Sequence, residues 1–203
     1  MSPKALATCG KVGFITGVLG VLSVIPMLAW PEQSPAGLVR YPFTAAGFQT
    51  IQTWFFVHHI GLVAGLVGLA LSGAMGEGRF GRGAAWLAVV GMIGLAGMEL
   101  FAIQFAEWEN EVASSGTMGA GYGITTNLVG LGMVGAGVSV LRARLWSGWW
   151  RFVPLLIGIS HFVLVTPAVF SNHWLLARLA IGTWMALFAA LGWGLMAELK
   201  PRV

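Results

Sequence analysis

The sequence predicts an all-α integral membrane protein, built as a single bundle of six transmembrane helices over residues 1–203. Hydrophobic residues make up 57% of the chain and charged residues only 9%, whereas soluble domains carry roughly 25% charge. The mean hydropathy is +0.82. Polar residues are too few to cover a water-exposed surface, so the composition excludes disorder, nucleic-acid binding and a disulfide framework.

Six apolar stretches are long enough to cross a bilayer, which takes about 20 helical residues. The first follows Lys11 and stops at Trp30 and Pro31. It lacks a convincing small-residue cleavage site, so we interpret it as a helix and not as a signal peptide. Polar connections separate the later stretches. The predicted spans are 13–30, 48–73, 84–107, 119–141, 152–170 and 174–196.

The distribution of lysine and arginine predicts the orientation, because cytoplasmic connections carry an excess of both. With both termini in the cytoplasm, nine of the 11 cationic residues face inward, Arg40 faces outward and Arg178 falls within the sixth span. We therefore predict a multi-pass protein of the plasma (cytoplasmic) membrane, N-in and C-in. The nine inner cations are Lys4, Lys11, Arg79, Arg82, Arg142, Arg144, Arg151, Lys200 and Arg202.

Glycine, with 30 residues, recurs at helical spacing along two of the spans. Small residues let transmembrane helices approach closely. We expect tight packing inside one bundle, with a homodimer through the glycine-rich faces as the alternative. The two faces are His58, Gly61, Gly65, Gly68 and Ser72 in the second span, and Gly119, Gly123, Asn127 and Gly130 in the fourth.

Polar residues within the spans lie at similar depth in the outer half of the membrane. From the helical rise, Glu99 lies about 10 Å below the outer end of its span, and the others lie between about 8 and 13 Å deep. Charged groups at such depth face the bundle interior and find partners. The polar layer predicted in this way consists of Glu99, His58, His59, Asn127, His161 and Arg178.

Glu99 and Arg178 are the strongly ionisable pair of this layer. A buried Glu without a partner becomes protonated, whereas one beside an Arg stays charged, and the sequence leaves both states open. Glu107 lies two turns above Glu99 and is expected at the mouth of the same cavity. Adjacent histidines lie about 100° apart on a helix, so His58 and His59 are expected to serve different contacts.

Aromatic residues surround the polar layer, as the walls of an apolar ligand site do. Together with the polar layer they predict a membrane enzyme of the isomerase or cyclase type, in which Glu99 protonates an isoprenoid or lipid-like substrate. His58, His59 or His161 would act as base or relay, and Asn127 and Arg178 would contact the substrate. The expected aromatic and mouth residues are Trp54, Phe55, Phe101, Phe105, Glu107, Tyr122 and Phe162.

Two other functions stay open at this point. A transporter, or the binding subunit of one, is compatible with six spans, although the sequence has no internal repeat of the kind that many transporters show. A haem b protein is compatible with a pair of histidines at equal depth, His58 or His59 with His161, where glycines opposite would leave room for the macrocycle. The sequence favours no metal ligand set and no particular cofactor.

Overall fold

The computed structural model describes residues 1–171 and 173–198, and within them the chain is helical and has no β-strand. Six helical segments are long and apolar enough to cross a membrane, so the chain is a multi-pass membrane protein. Lys200 and Arg202, two of the predicted inner cations, lie outside the described residues. The α-helices are α1 Pro3–Ala29, α2 Ala45–Leu71, α3 Arg79–Ala102, α4 Asn110–Ser115, α5 Thr117–Ala143, α6 Val153–Ser160, α7 Thr166–Phe170 and α8 Trp174–Ala197.

The first helix begins at Pro3, well before the predicted start at residue 13. Ser2 caps it, because its side chain accepts a hydrogen bond from the Ala5 backbone, and Pro3 occupies the first helical turn, where a missing N–H costs nothing. Lys4 and Lys11 therefore lie on the helix itself. The two lysines had suggested that the helix begins after them, but the backbone is already helical from Pro3.

The spans pack as a closed series of neighbours around an apolar core. Helix α1 contacts α2 and α8, α2 contacts α3, α3 contacts α5, α5 contacts α6, and α6 returns to α8. The half of the core nearer the start of α1 and the end of α8 is filled by aliphatic and methionine side chains. Its most deeply buried members include Leu62, Leu66, Leu69, Met92, Met133, Val140, Leu191 and Leu195.

The glycine face of α2 packs against α1, as the spacing predicted. A Cβ on Gly65 would lie 3.3 Å from the Gly13 Cα, and a Cβ on Gly13 would lie 2.9 Å from the Gly65 Cα. The face predicted on α5 behaves differently, because Gly123 has open space around it and Asn127 is exposed. Close packing thus accounts for the face on α2 and, on α5, for Gly119 and Gly130 but not for Gly123 and Asn127.

The connection between α1 and α2, which the sequence predicts on the outer side of the membrane, folds over the end of α3. Backbone hydrogen bonds join Val39 to Trp108 and Asn110 to Gly37, and the Arg40 Nε lies 3.0 Å from the Glu107 Oε1. We call residues 31–44 the outer loop. This loop lies on the same side of the molecule as the predicted polar layer and fixes Glu107 in an ion pair.

The fifth span is interrupted by a π-helical segment, His161–Val165, between α6 and α7. The backbone N–H of Thr166 donates to the His161 carbonyl, five residues earlier. Pro167 follows immediately and has no N–H to donate. A proline inside a helix is expected to bend or end it, but here the chain adopts the wider π turn and stays helical to Phe170. Such π turns are frequent at functional sites.

Candidate functional site

A hydrogen-bonded cluster around Glu99 lies in the half of the core that is nearer the outer loop. Glu99 is 7% exposed, and its Oε2 accepts a hydrogen bond of 3.0 Å from the Tyr122 hydroxyl. Because the third and fifth α-helices pack closely, the two side chains meet although they are far apart in sequence. A carboxyl group shielded from lipid by neighbouring helices is thus held in one orientation by a hydroxyl group.

Gln52 joins this pair from α2. Its Nε2 donates to the Tyr122 hydroxyl oxygen and to the Glu99 backbone carbonyl, both at 3.3 Å. Gln52 is buried, and its amide positions both residues relative to one another. Gln52 was not among the predicted site residues. The signal was present, because Gln52 lies seven residues before His59 and therefore on the same helical face.

His59 lies beside the carboxyl group. Its Nδ1 is 2.6 Å from the Phe55 carbonyl oxygen, and since that oxygen only accepts, Nδ1 carries the hydrogen. The same Nδ1 lies 3.8 Å from the Glu99 Oε1. In the neutral ring, Nε2 therefore presents a lone pair. The four residues Gln52, His59, Glu99 and Tyr122 are hereafter called the Glu99 cluster.

His58 faces away from this cluster, as the angle between adjacent residues predicted. Its Nε2 donates to the Thr16 carbonyl at 2.8 Å, and the imidazole fills the space that a Cβ on Gly20 would need, with that Cβ only 2.5 Å from Nε2. Trp54 accompanies it, because its indole N–H donates to the Ser23 hydroxyl of α1. Both residues therefore hold α1 to α2.

His161 lies at the start of the π segment and is 2% exposed. Its ring packs against Gly130, where a Cβ would lie 2.5 Å from the His161 Cδ2, and against the Trp184 ring. The imidazoles themselves thus occupy the space beside Gly20 and Gly130. A haem held by His58 and His161 does not fit, since the glycines make room for the rings and not for a macrocycle.

Within residues 1–171 and 173–198, no three His, Cys, Asp or Glu side chains are grouped as a metal site.

Arg178 lies above the cluster and stacks on an aromatic ring. Its guanidinium carbon is 3.9 Å from the centre of the Trp174 ring, and its Nε is buried without a hydrogen-bond partner in the described chain. It interacts with Glu99 electrostatically, but the described residues form no direct ion pair between the two. The expected pairing is therefore a longer-range attraction.

Two other predicted site residues lie away from the Glu99 cluster. Asn127 is exposed on the surface of α5, where its amide donates to the Gly123 carbonyl at 2.7 Å. Helical depth had suggested that it reaches the interior, but depth gives no direction around the helix axis. Glu107 is paired with Arg40 on the outer loop, and its side chain is 62% exposed.

The predicted aromatic residues fall into separate groups and do not form the wall of one cavity. Phe55 packs against the buried cluster that contains Phe43 of the outer loop and Phe48 of α2. Phe105 contacts Phe101 and packs against Ala102, Ala113 and Met118. Phe162 lies against Gly130 and the His161 ring. Of the predicted aromatics, Tyr122 is the one that touches Glu99.

An apolar cavity of about 380 Å³ lies between the end of the fifth span and α8, in the same half of the protein. Its wall includes residues directly after His161 and the α8 residues around Leu179. Such a space would accept a hydrocarbon chain. The lining residues are Val163, Leu164, Pro167, Ala168, Ser171, Leu176, Leu179, Ala180 and Thr183.

Comparison of this chain with protein families, with curated proteins and with solved structures gives no match.

Proposed function

We propose that this protein is a membrane enzyme that rearranges an apolar, isoprenoid or lipid-like substrate by acid–base chemistry, as an isomerase or cyclase does. The observation that carries the proposal is the Glu99 cluster, in which a buried carboxyl group is hydrogen-bonded to Tyr122 and lies 3.8 Å from an imidazole nitrogen. An acid and a base side by side, shielded from water, are what proton transfer to a hydrocarbon requires.

The proposed reaction needs no oxidant or reductant. The π electrons of a substrate double bond take the proton of the Glu99 carboxyl group, so that a C–H bond forms and the neighbouring carbon becomes cationic. His59 then removes a proton from an adjacent carbon, and the double bond reforms one position along. His59 takes this proton on Nε2, because its Nδ1–H donates to the Phe55 carbonyl. Return of the Nε2 proton to the Glu99 carboxylate restores the neutral pair in its starting tautomer.

The surroundings of the cluster support an apolar substrate over a transported ion. The inner half of the core is packed with aliphatic side chains such as Leu66 and Met133, which offer an ion no polar partners. The apolar cavity beside α8 lies in the same half as Glu99 and suits entry of a hydrocarbon chain from the bilayer.

The proposal is tested by comparing membrane lipids from cells that do and do not produce the protein. We expect one lipid to decrease and an isomer of the same mass to appear at a different chromatographic retention time. Identical lipid profiles, obtained with a confirmed and folded protein in the membrane, would refute the isomerase function.

An absorption spectrum separates this proposal from haem binding. His59 leaves its Nε2 lone pair unused, so His59 is the histidine that a haem iron would take as a ligand. Because the proposed chemistry uses His59 as a base, we expect protein purified in mild detergent to show no Soret band before or after dithionite. A stoichiometric band that His59→Ala removes would assign His59 to haem and contradict its role as base.

We also propose that both termini are cytoplasmic and that the Glu99 cluster lies in the outer leaflet half of the plasma membrane. The cation distribution supports this orientation. In a Cys9→Ser background, Gly37→Cys and Gly78→Cys place thiols at two positions where a Cβ meets no atom within 4 Å. A membrane-impermeant maleimide added to intact cells is expected to label the first and spare the second, and the reverse pattern would invert the topology.

A further inference from the structure

A surface cavity of about 550 Å³ lies at the end of the protein opposite the Glu99 cluster. It is lined by Val138, Leu141, Arg142 and Arg144, at the end of α5. At 1.5 Å per residue, this end of α5 lies about 30 Å along the helix from Tyr122. Because the Glu99 cluster is expected about 10 Å inside a hydrocarbon core about 30 Å thick, this end of α5 extends roughly 10 Å beyond the core on the other side. The cavity therefore lies at the level of the lipid headgroups.

The lining combines two chemistries in one place. Val138 and Leu141 supply an aliphatic surface one turn inside the membrane, and Arg142 and Arg144 supply two guanidinium groups at its edge. Both arginines are exposed, and no carboxylate of the described residues forms an ion pair with either. A ligand that suits this lining is anionic at one end and apolar at the other.

The backbone conformation of Arg144 also points to a role for this residue. Arg144 ends α5 in the left-handed region with φ of 54°, and it is the only non-glycine residue of the described chain with a positive φ. Glycine is the usual residue at this position of a helix end. An arginine held there against the backbone preference indicates a role for its side chain.

We propose that this cavity binds an anionic phospholipid, with the phosphate held by Arg142 and Arg144 and an acyl chain lying along Val138 and Leu141. Guanidinium groups bind phosphate oxygens through paired hydrogen bonds. Basic pockets at the ends of transmembrane helices bind anionic headgroups for the same reason. The site is independent of the proposed catalysis, because it lies at the other end of the molecule.

The proposal is tested by thermal unfolding of the full chain in an uncharged detergent, with three additives. Short-chain phosphatidylglycerol is expected to raise the melting temperature by about 5 °C at saturation. Phosphatidylcholine of the same chain length and inorganic phosphate are expected to leave it unchanged. An equal shift with phosphatidylcholine would show that the acyl chains alone bind, and an equal shift with phosphate would show a free-anion site; either result overturns the proposal.

The double variant Arg142→Gln, Arg144→Gly removes both guanidinium groups while giving the left-handed position its preferred residue. We expect it to fold and to lose the shift with phosphatidylglycerol. The matched control Lys4→Gln, Lys11→Gln removes two cations from α1 near the same end and is expected to keep the shift. If the double variant keeps the shift, the arginines are not the ligands. Should it fail to fold, the single variant Arg144→Gly gives the same comparison.

Discussion

Replacing Glu99 by glutamine is expected to reduce substrate conversion at least about 100-fold, because a positioned general acid contributes roughly 10²- to 10⁴-fold to a rate. The amide keeps the size of the side chain, and its oxygen still accepts the hydrogen bond that Tyr122 donates at 3.0 Å. What it lacks is the acidic proton. The measurement is conversion of a lipid extract with added linear polyprenols by purified protein in liposomes.

Glu111→Gln is the matched control for this experiment. Glu111 is exposed in the first turn of α4, so its variant makes the same carboxyl-to-amide replacement outside the Glu99 cluster. We expect it to convert substrate at the wild-type rate. Full activity of Glu99→Gln would remove the acid from the proposed reaction, and a loss of thermal stability in that variant alone would assign Glu99 a structural role.

Gly65→Val is expected to destabilise the protein strongly, because α1 and α2 touch through bare backbone at this point. A Cβ on Gly65 would lie 3.3 Å from the Gly13 Cα, and valine adds two further carbons that no rotation of a neighbouring side chain can accommodate. Overpacking of this kind costs about 3 kcal/mol. The melting temperature in detergent and the yield of monodisperse protein both measure the effect.

Gly123→Val tests whether the loss comes from packing or from valine in a transmembrane helix. Gly123 lies on α5, where a Cβ would meet no atom within 4 Å. We expect this variant to melt close to the wild-type temperature. Equal losses in both variants would refute the close α1–α2 contact, whereas a loss confined to Gly123→Val would indicate a second copy of the chain on that face.

The transmembrane spans were predictable from the sequence, because burial in lipid requires a long run of apolar residues and little else. Their ends were less predictable. The helical start at Pro3 depends on the hydroxyl of Ser2 and on a proline in the first turn, which are weaker signals than the lysines that follow. The π turn at His161 lies where the fifth span packs against α5 and α8, and no local sequence pattern indicates that packing.

The composition of the polar site was predictable only in part. Depth along each helix brought Glu99 and His59 to the same level, and Tyr122 was expected among the aromatic residues around them; the structure places the three together. Depth along a helix does not tell which way a side chain points around the helix axis. The same criterion therefore also selected Asn127, which faces outward. The pairing of Arg40 with Glu107 depends on how the outer loop folds back over α3, a contact between residues distant in sequence.

Incorporation of deuterium from D₂O measures proton transfer from Glu99 to a hydrocarbon. Liposomes containing the protein, a lipid extract and linear polyprenols are incubated in D₂O, and the lipids are analysed by mass spectrometry after back-exchange of O–H and N–H positions. We expect wild-type protein, and not Glu99→Gln, to leave carbon-bound deuterium in one lipid. Carbon-bound deuterium that is absent with wild-type protein, or equal in the two samples, would contradict this proton transfer.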